Sequence, residues 1–262
     1  PRLRMVALVH HPLHAETGLA PSRMSALFAA ESAALGHAQR VIVTSETTVA
    51  ALEAMGVPRS RIAVVEPGTD PARLAHGRAG PDDPVALLCV ATLTPRKGHV
   101  VLLDALARLP AHGWRLDAVG SAERDPATAA AVCTRIAQLG LGERVRLHGE
   151  VDAATLDALY ARADVAVLAS RMEGYGMALA EALARGLPVV ATRAGAVVGT
   201  VPADAGRLVP VDDVGALADA LTAVVTDDAL RARLATGARA ARARLPDWPS
   251  RADVFARALG LR

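Results

Sequence analysis

Aromatic residues are scarce, with two Trp, two Tyr and two Phe in 262 residues. A core resting on aromatic packing is therefore excluded, and the 52% of the chain that is apolar must close its interior with Ala, Val and Leu. Cysteine is nearly absent. Cys89 and Cys133 stand far apart and have no metal-ligand spacing, which excludes a disulfide framework and a cysteine-rich metal site. Two plain thiols fit a reducing compartment, and a cytoplasmic location is expected. Long apolar runs are missing too. "VALLCVATL" (85–93) is far too short to span a bilayer, and no secretory signal opens the chain. Nor is there an excess of one charge: 29 Lys and Arg face 27 Asp and Glu. Composition thus names no nucleic-acid partner. The one local bias is the series Arg231, Arg233, Arg239, Arg242 and Arg244, read as a solvated helix face in preference to a surface for anionic lipid. An initiating Met is lacking as well. The chain opens at Pro1 and runs almost at once into a strand, so further sequence upstream is expected.

What is present is a regular alternation. "MVALVHHP" (5–12), "RVIVTS" (40–45) and "RIAVVEPG" (61–68) read as buried strands. Helices are expected from about Ser22 to Gly36 and over "TTVAALEAM", the second capped by Ser45. Residues 70–84 are rich in Pro, Gly, Asp and Arg without periodicity, which marks a linker. Beyond it strands are expected at 85–91, 114–119, 144–148, 164–168, 187–191 and 207–209. Helices are expected at about 97–109, 125–139, 153–162, 175–185, 212–225 and 227–243. Continuous apolar strands alternating with helices predict a doubly wound α/β unit with a parallel sheet covered on both faces. Three strands are too few for a covered sheet, so residues 1–70 read as an incomplete unit of the same kind. The division is then 1–70, a linker at 71–83, a complete unit at 84–245, and a terminal helix at 246–262 anchored by Trp248 and Phe255.

Ligands of open parallel sheets sit at the carboxyl ends of strands, beside helix N-termini. Four such ends carry suggestive residues. "TLTPRKGH" puts Arg96 and Lys97 before a helix, a fitting place for a diphosphate. "GSAERD" supplies Gly120, which permits close approach of a ligand to the backbone. Gly149, Glu150 and Val151 form a turn. The fourth end is "RMEGYGMALAEALARGLPVVAT" (171–192), in which Glu173 and Glu181 stand eight residues apart. Gly174 and Gly176 leave backbone amides unobstructed at the start of a helix, and each carboxylate can accept hydrogen bonds from vicinal hydroxyls. A diphosphate between two carbohydrate rings fits this arrangement. Either glutamate alone reads as an ordinary solvated or ion-paired charge; the combination with Arg96 and Lys97 favours a site.

"TLTPRKGH", "LHGEVDAATLDALYARADVAVLAS" and "RMEGYGMALAEALARGLPVVAT" resemble the C-terminal half of retaining glycosyltransferases of family 4. The resemblance implies a GT-B fold, two Rossmann-like domains facing a cleft. It implies that Glu181 binds the donor ribose and Glu173 the transferred sugar. Amides around Gly174, Tyr175, Gly176 and Met177 would meet the sugar and phosphates. Arg96 and Lys97 would neutralise the diphosphate, and the backbone near Val151 would meet the base. "ALVHHP" resembles the strand whose terminal histidine enters the cleft, which makes His10 the candidate, with His11 beside it. "VVEPGTD" resembles the interdomain turn, with Pro67 in place of Asn. Thr92 stands where the family has Arg, and Gly199 where a glutamate is common. A metal cluster at His10, His11 and His14 is disfavoured because successive strand residues face opposite ways.

The resemblance implies transfer of a sugar, with retention, from a nucleotide diphosphate sugar to a sugar, lipid or small-molecule acceptor. No metal or cofactor is expected, and the resemblance leaves room for peripheral membrane contact. A GT-B nucleotide-sugar epimerase and a donor-binding module without turnover are the alternatives.

Overall fold

The computed structural model describes residues 4–80 and 82–261. Pro1, Pro81 and Arg262, at the start of the first unit, in the linker and at the end of the last helix as read from sequence, lie outside them. The first three strands, β1 (Val6–Val9), β2 (Arg40–Val43) and β3 (Ile62–Val64), form one parallel sheet in the order β1-β2-β3. They are joined through α1 (Pro21–His37) and α2 (Glu46–Ala54). Ser45 holds the N-cap position of α2, but its hydroxyl pairs with the Thr48 hydroxyl at 3.2 Å and does not cap a backbone amide. A small core of Val9, Val41, Val43, Val49, Leu52 and Ile62 closes one face of this sheet.

The second sheet contains β4 (Val85–Val90), β5 (Trp114–Val119), β6 (Val145–Leu147), β7 (Val165–Leu168), β8 (Val189–Thr192) and β9 (Gly206–Val209). All pairs are parallel and the order is β6-β5-β4-β7-β8-β9. β4 is fully buried except at Val90, and β7 and β8 throughout, because helices cover both faces. Those helices are α3 (His99–Leu106), α4 (Pro126–Gln138), α5 (Ala153–Ala161), α6 (Met177–Ala184), α7 (Val197–Thr200), α8 (Val214–Thr226) and α9 (Asp228–Arg242). Aspartates at 125, 152, 213 and 227 accept amide hydrogen bonds at the starts of α4, α5, α8 and α9. The strand order reverses between β4 and β7. That reversal leaves a crevice at their carboxyl ends, where the loops after them diverge to opposite faces.

The last helix, α10 (Trp248–Leu259), returns to the first sheet. Phe255, Val254, Ala258 and Leu259 pack on Ile42, Ala63 and Val65. Trp248 differs from the sequence expectation: it is 48% exposed and no core anchor. Its backbone lies against Gly68, where an added Cβ would come within 2.5 Å, and its side chain borders the crevice. The stretch read as a linker is tied down, since the amides of Ala75, His76 and Gly77 donate to the carbonyls of Arg185 and Ala161.

The arginine series is likewise only partly solvated. Arg231 is buried and donates to the carbonyls of Val224 and Val225, and Arg242 donates to that of Ala72. Among the described residues no helix is long and apolar enough to cross a membrane.

Candidate functional site

The crevice is a cleft of about 720 Å3 between the two sheets. Its walls include His10, His11, Arg96, Lys97, Gly120, Val151, Glu173, Gly174, Tyr175, Gly176, Met177 and Glu181, so these candidate site residues come to one place, whereas Gly199 borders a separate cavity. They arrive from five chain segments because five strand ends open on the same side.

Arg96 and Lys97 precede a helix, as expected, but that helix begins at His99 and not at about 97. They lie on a 3-10 turn, Pro95–Lys97, and Gly98 interrupts with φ 65° before α3 starts at His99. Gly98 is required there: an added Cβ would meet the Ala169 carbonyl oxygen at 2.0 Å. This close approach joins the two loops. The Arg171 amide donates to the Arg96 carbonyl at 2.7 Å, and Arg96 Nη1 donates to the Met172 carbonyl at 2.9 Å.

Glu173 is 6% exposed. Its Oε1 accepts from Lys97 Nζ and from Ser170 Oγ, both at 2.6 Å, and Arg96 Nη1 lies 3.8 Å from Oε2. The loop carrying it is pinned along its length. Thr192 Oγ1 donates to the Ser170 carbonyl, the Ala196 amide to the Glu173 carbonyl at 3.0 Å, and Thr200 Oγ1 to the Tyr175 carbonyl at 2.6 Å. The cationic pair and the carboxylate therefore sit preorganised at one end of the cleft.

Helix α6 starts two residues later than expected, with Gly176 left-handed at its N-cap (φ 93°). Met177 and Ala178, whose amides lack intrahelical partners at this helix start, line the cleft. Glu181 lies a little over one turn along this helix. Its Oε2 accepts from the Tyr160 hydroxyl at 3.2 Å. Glu173 and Glu181 thus occupy two stations separated by the helix N-terminus.

Gly174 and Gly120 serve a purpose that sequence reasoning assigned to ligand approach. A Cβ at Gly174 would meet the His10 carbonyl oxygen at 2.2 Å, and one at Gly120 the Ala91 carbonyl oxygen at 2.2 Å. Gly174 is where the two sheets touch. Thr44 Oγ1 lies 3.3 Å from both the His10 and the Gly174 carbonyl oxygens and bridges the contact. His10 is exposed just past the end of β1. His11 Nε2 lies 3.4 Å from Glu16 Oε2, and Arg96 Nε lies 3.3 Å from Glu16 Oε1. Among the described residues no group of three or more His, Cys, Asp or Glu is placed to hold a metal ion. Ser170, Thr44, Glu16 and Tyr160 were not anticipated. Only Ser170, three residues before Glu173 at a strand end, carried any local signal.

Beneath the site, His99 is 5% exposed, with Nε2 3.9 Å from the Cys89 sulfur. Burial, then the nearby Lys97 charge, lowers its pKa to about 4. Burial pushes the Cys89 thiol up to about 12. Both are neutral supports near the cationic turn.

Two Rossmann-like parallel sheets facing a cleft at the switch point define a GT-B architecture. The family model for glycosyl transferases group 1 matches residues 75–241, and that for Glycosyltransferase Family 4 matches residues 1–73. The chain belongs to the group 1 glycosyl transferases.

Among relatives, a D-inositol 3-phosphate glycosyltransferase of Xylanimonas cellulosilytica is 35% identical over 247 residues, covering 84% of this chain and 59% of the relative. A phosphatidyl-myo-inositol mannosyltransferase of Mycobacterium leprae is 39% identical over 153 residues, covering 56% of this chain and 39% of the relative. The chain thus spans less than two thirds of the length of these curated relatives. Among solved structures, the sucrose-phosphate synthase of Thermosynechococcus elongatus superposes with a TM-score of 0.84 at 28% identity, over 96% of this chain and 66% of that one. Anabaena HepE, crystallised with UDP and glucose, gives 0.84 at 22% identity over 99% and 72%, a likeness of fold.

Proposed function

We propose that this chain carries the donor site of a glycosyltransferase that moves a sugar, with retention, from a nucleotide diphosphate sugar to an acceptor hydroxyl. The observation that carries the reading is the placement of Glu173 and Glu181 on either side of the α6 N-terminus in one cleft with Lys97 and Arg96. One anionic diphosphate at the helix amides then has a carboxylate for a ring on each side. In this reading Glu181 holds the ribose, Glu173 the transferred sugar, and the turn around Val151 the base. Anabaena HepE, a protein of this fold, has been crystallised with UDP-glucose, which is consistent with that class of ligand.

The chemistry follows from charge. As the bond from the anomeric carbon to the diphosphate oxygen breaks, its electron pair stays with the phosphate. Arg96, Lys97 and the α6 amides stabilise that charge. The acceptor hydroxyl adds to the same face of the sugar, and its proton passes to the departing phosphate oxygen, so no protein nucleophile or metal is required. His10 borders the sugar end. The acceptor is a sugar, a lipid or a small molecule, and the work takes place in the cytoplasm, with peripheral membrane contact where the acceptor is a lipid. Residues 84–245 form the donor-binding domain, and 1–70, with the terminal helix, belong to the acceptor side.

Titration calorimetry with the nucleoside diphosphate and with its sugar conjugate tests the assignment. Glu181→Ala is expected to weaken both ligands, and Glu173→Ala only the sugar-bearing one, each by about tenfold or more. Parent-like binding of both ligands by both variants would sink the donor-site reading.

A further inference from the structure

Tyr160 is one of the largest fully buried side chains, 1% exposed near the end of α5, yet its hydroxyl reaches Glu181, a residue of the cleft wall. That hydroxyl lies 3.2 Å from Glu181 Oε2 and 3.3 Å from the Ala178 carbonyl oxygen. Of the two acceptors the carboxylate is the stronger. Burial, then the Glu181 charge, raises the phenol pKa well above its usual value, so the group keeps its proton and donates.

Arg185 fixes the ring from the other side. Its guanidinium carbon lies 4.2 Å from the ring centroid, Nη1 donates to the Glu181 carbonyl at 3.2 Å, and Nη2 pairs with Asp157. A cation over the ring face also strengthens the phenol as a donor. The Glu181 carboxylate is therefore held by one oxygen, while Oε1 has no protein hydrogen-bond partner among the described residues. A free glutamate one turn into a helix would sample several rotamers; this one is held in place from beneath.

We propose that Tyr160 is a positioning residue for the donor ribose, holding Glu181 through Oε2 so that the carboxylate meets the vicinal hydroxyls without reorganising. The inference rests on the donor-site reading above. Tyr160 touches no ligand in this scheme and acts only through Glu181.

Tyr160→Phe removes the hydroxyl and keeps the ring and its Arg185 contact. Calorimetry of parent and variant uses the four ribonucleoside 5′-diphosphates and their 2′,3′-dideoxy forms, with thermal unfolding to establish that both chains are folded. The expected result is a loss of about five- to tenfold for the ribonucleotide that the parent binds, and no change for its dideoxy form. In a Glu181→Ala background the same substitution should be silent. A merely structural tyrosine would weaken ribo and dideoxy ligands alike, and that result overturns the proposal. Unchanged ribonucleotide binding by Tyr160→Phe, with Glu181→Ala impaired, overturns the positioning role alone. A parent that binds none of the four overturns the donor-site reading with it.

Discussion

Glu173 and Lys97 show how a residue proposed to meet the ligand can also be part of the packed structure. A carboxylate this buried needs its charge matched, which Lys97 does at 2.6 Å while the Ser170 hydroxyl adds a hydrogen bond at 2.6 Å. The arrangement leaves Oε2 of Glu173 with a long contact to Arg96 at 3.8 Å, and in the donor-site reading proposed above this is the oxygen that would meet a sugar hydroxyl. His99 carries a different constraint, because it packs beneath Lys97 and must stay neutral. With a folded pKa of about 4 and an ordinary value of 6.5, the unfolded chain holds the extra proton between those values. Stability contributed by neutral His99 is thus complete above pH ~6.5 and declines as pH falls toward ~4. At 1.36 kcal/mol per unit the loss is at most roughly 3.4 kcal/mol. Urea unfolding at pH ~7 and ~4.5 should show a steeper loss in the parent than in His99→Gln; equal slopes would place the acid sensitivity elsewhere.

At the scale of elements, the loops after β4 and β7 matter more than the helices they lead into. Each is locked by a glycine whose missing Cβ allows backbone to approach backbone: Gly98 on Ala169, Gly174 on His10. The same substitution should therefore have opposite signs in different elements. Gly36, near the end of α1, has nothing within 4 Å of an added Cβ. Gly36→Ala is expected to stabilise by about 0.5–1 kcal/mol through helix propensity and reduced unfolded-state entropy. Gly174→Ala must displace the His10 carbonyl, which is backbone and cannot rotate away, and should cost about 1–3 kcal/mol. Denaturant midpoints of the two variants against the parent measure both. A neutral Gly174→Ala would show that the contact between the sheets is not tight.

For the whole molecule, the two sheets differ in how much core they own. The six-stranded sheet is packed on both faces, whereas the three-stranded one relies on α10 to cover the side formed by Ile42 and Val65. Arg40 Nη1 donates to the Ala258 carbonyl at 2.8 Å, and the Thr69 amide to the Pro246 carbonyl at 2.8 Å, so this helix also straps the units together. Phe255→Ala should cost about 2 kcal/mol. The loss should fall on one body: amide hydrogen exchange is expected to speed up in β1–β3 and to stay unchanged in β4–β9. Uniform acceleration would mean that the two sheets unfold as one.

Periodicity and turn chemistry are local properties, and they made the alternation of strands and helices legible, together with the strand ends at which Arg96, Lys97, Glu173 and Glu181 stand. They also place the expected helix starts within one or two residues, with left-handed Gly98 and Gly176 each delaying a start by two. Trp248 was misread as an anchor because its exposure depends on where α10 lands, not on its neighbours in sequence. The same holds within the cleft. Lys97 meets Glu173 across 76 positions, Tyr160 meets Glu181 across 21, and Thr44 reaches Gly174 across 130. No local pattern encodes such pairs. The sequence by itself determined the elements, the parallel character of the sheets and the chemical types at their ends. Only the tertiary structure decided which ends share a cleft, which carboxylate is held by which donor, and which glycine is a contact between sheets, because strand order and the closeness of packed backbones are set by burying surfaces remote in the chain.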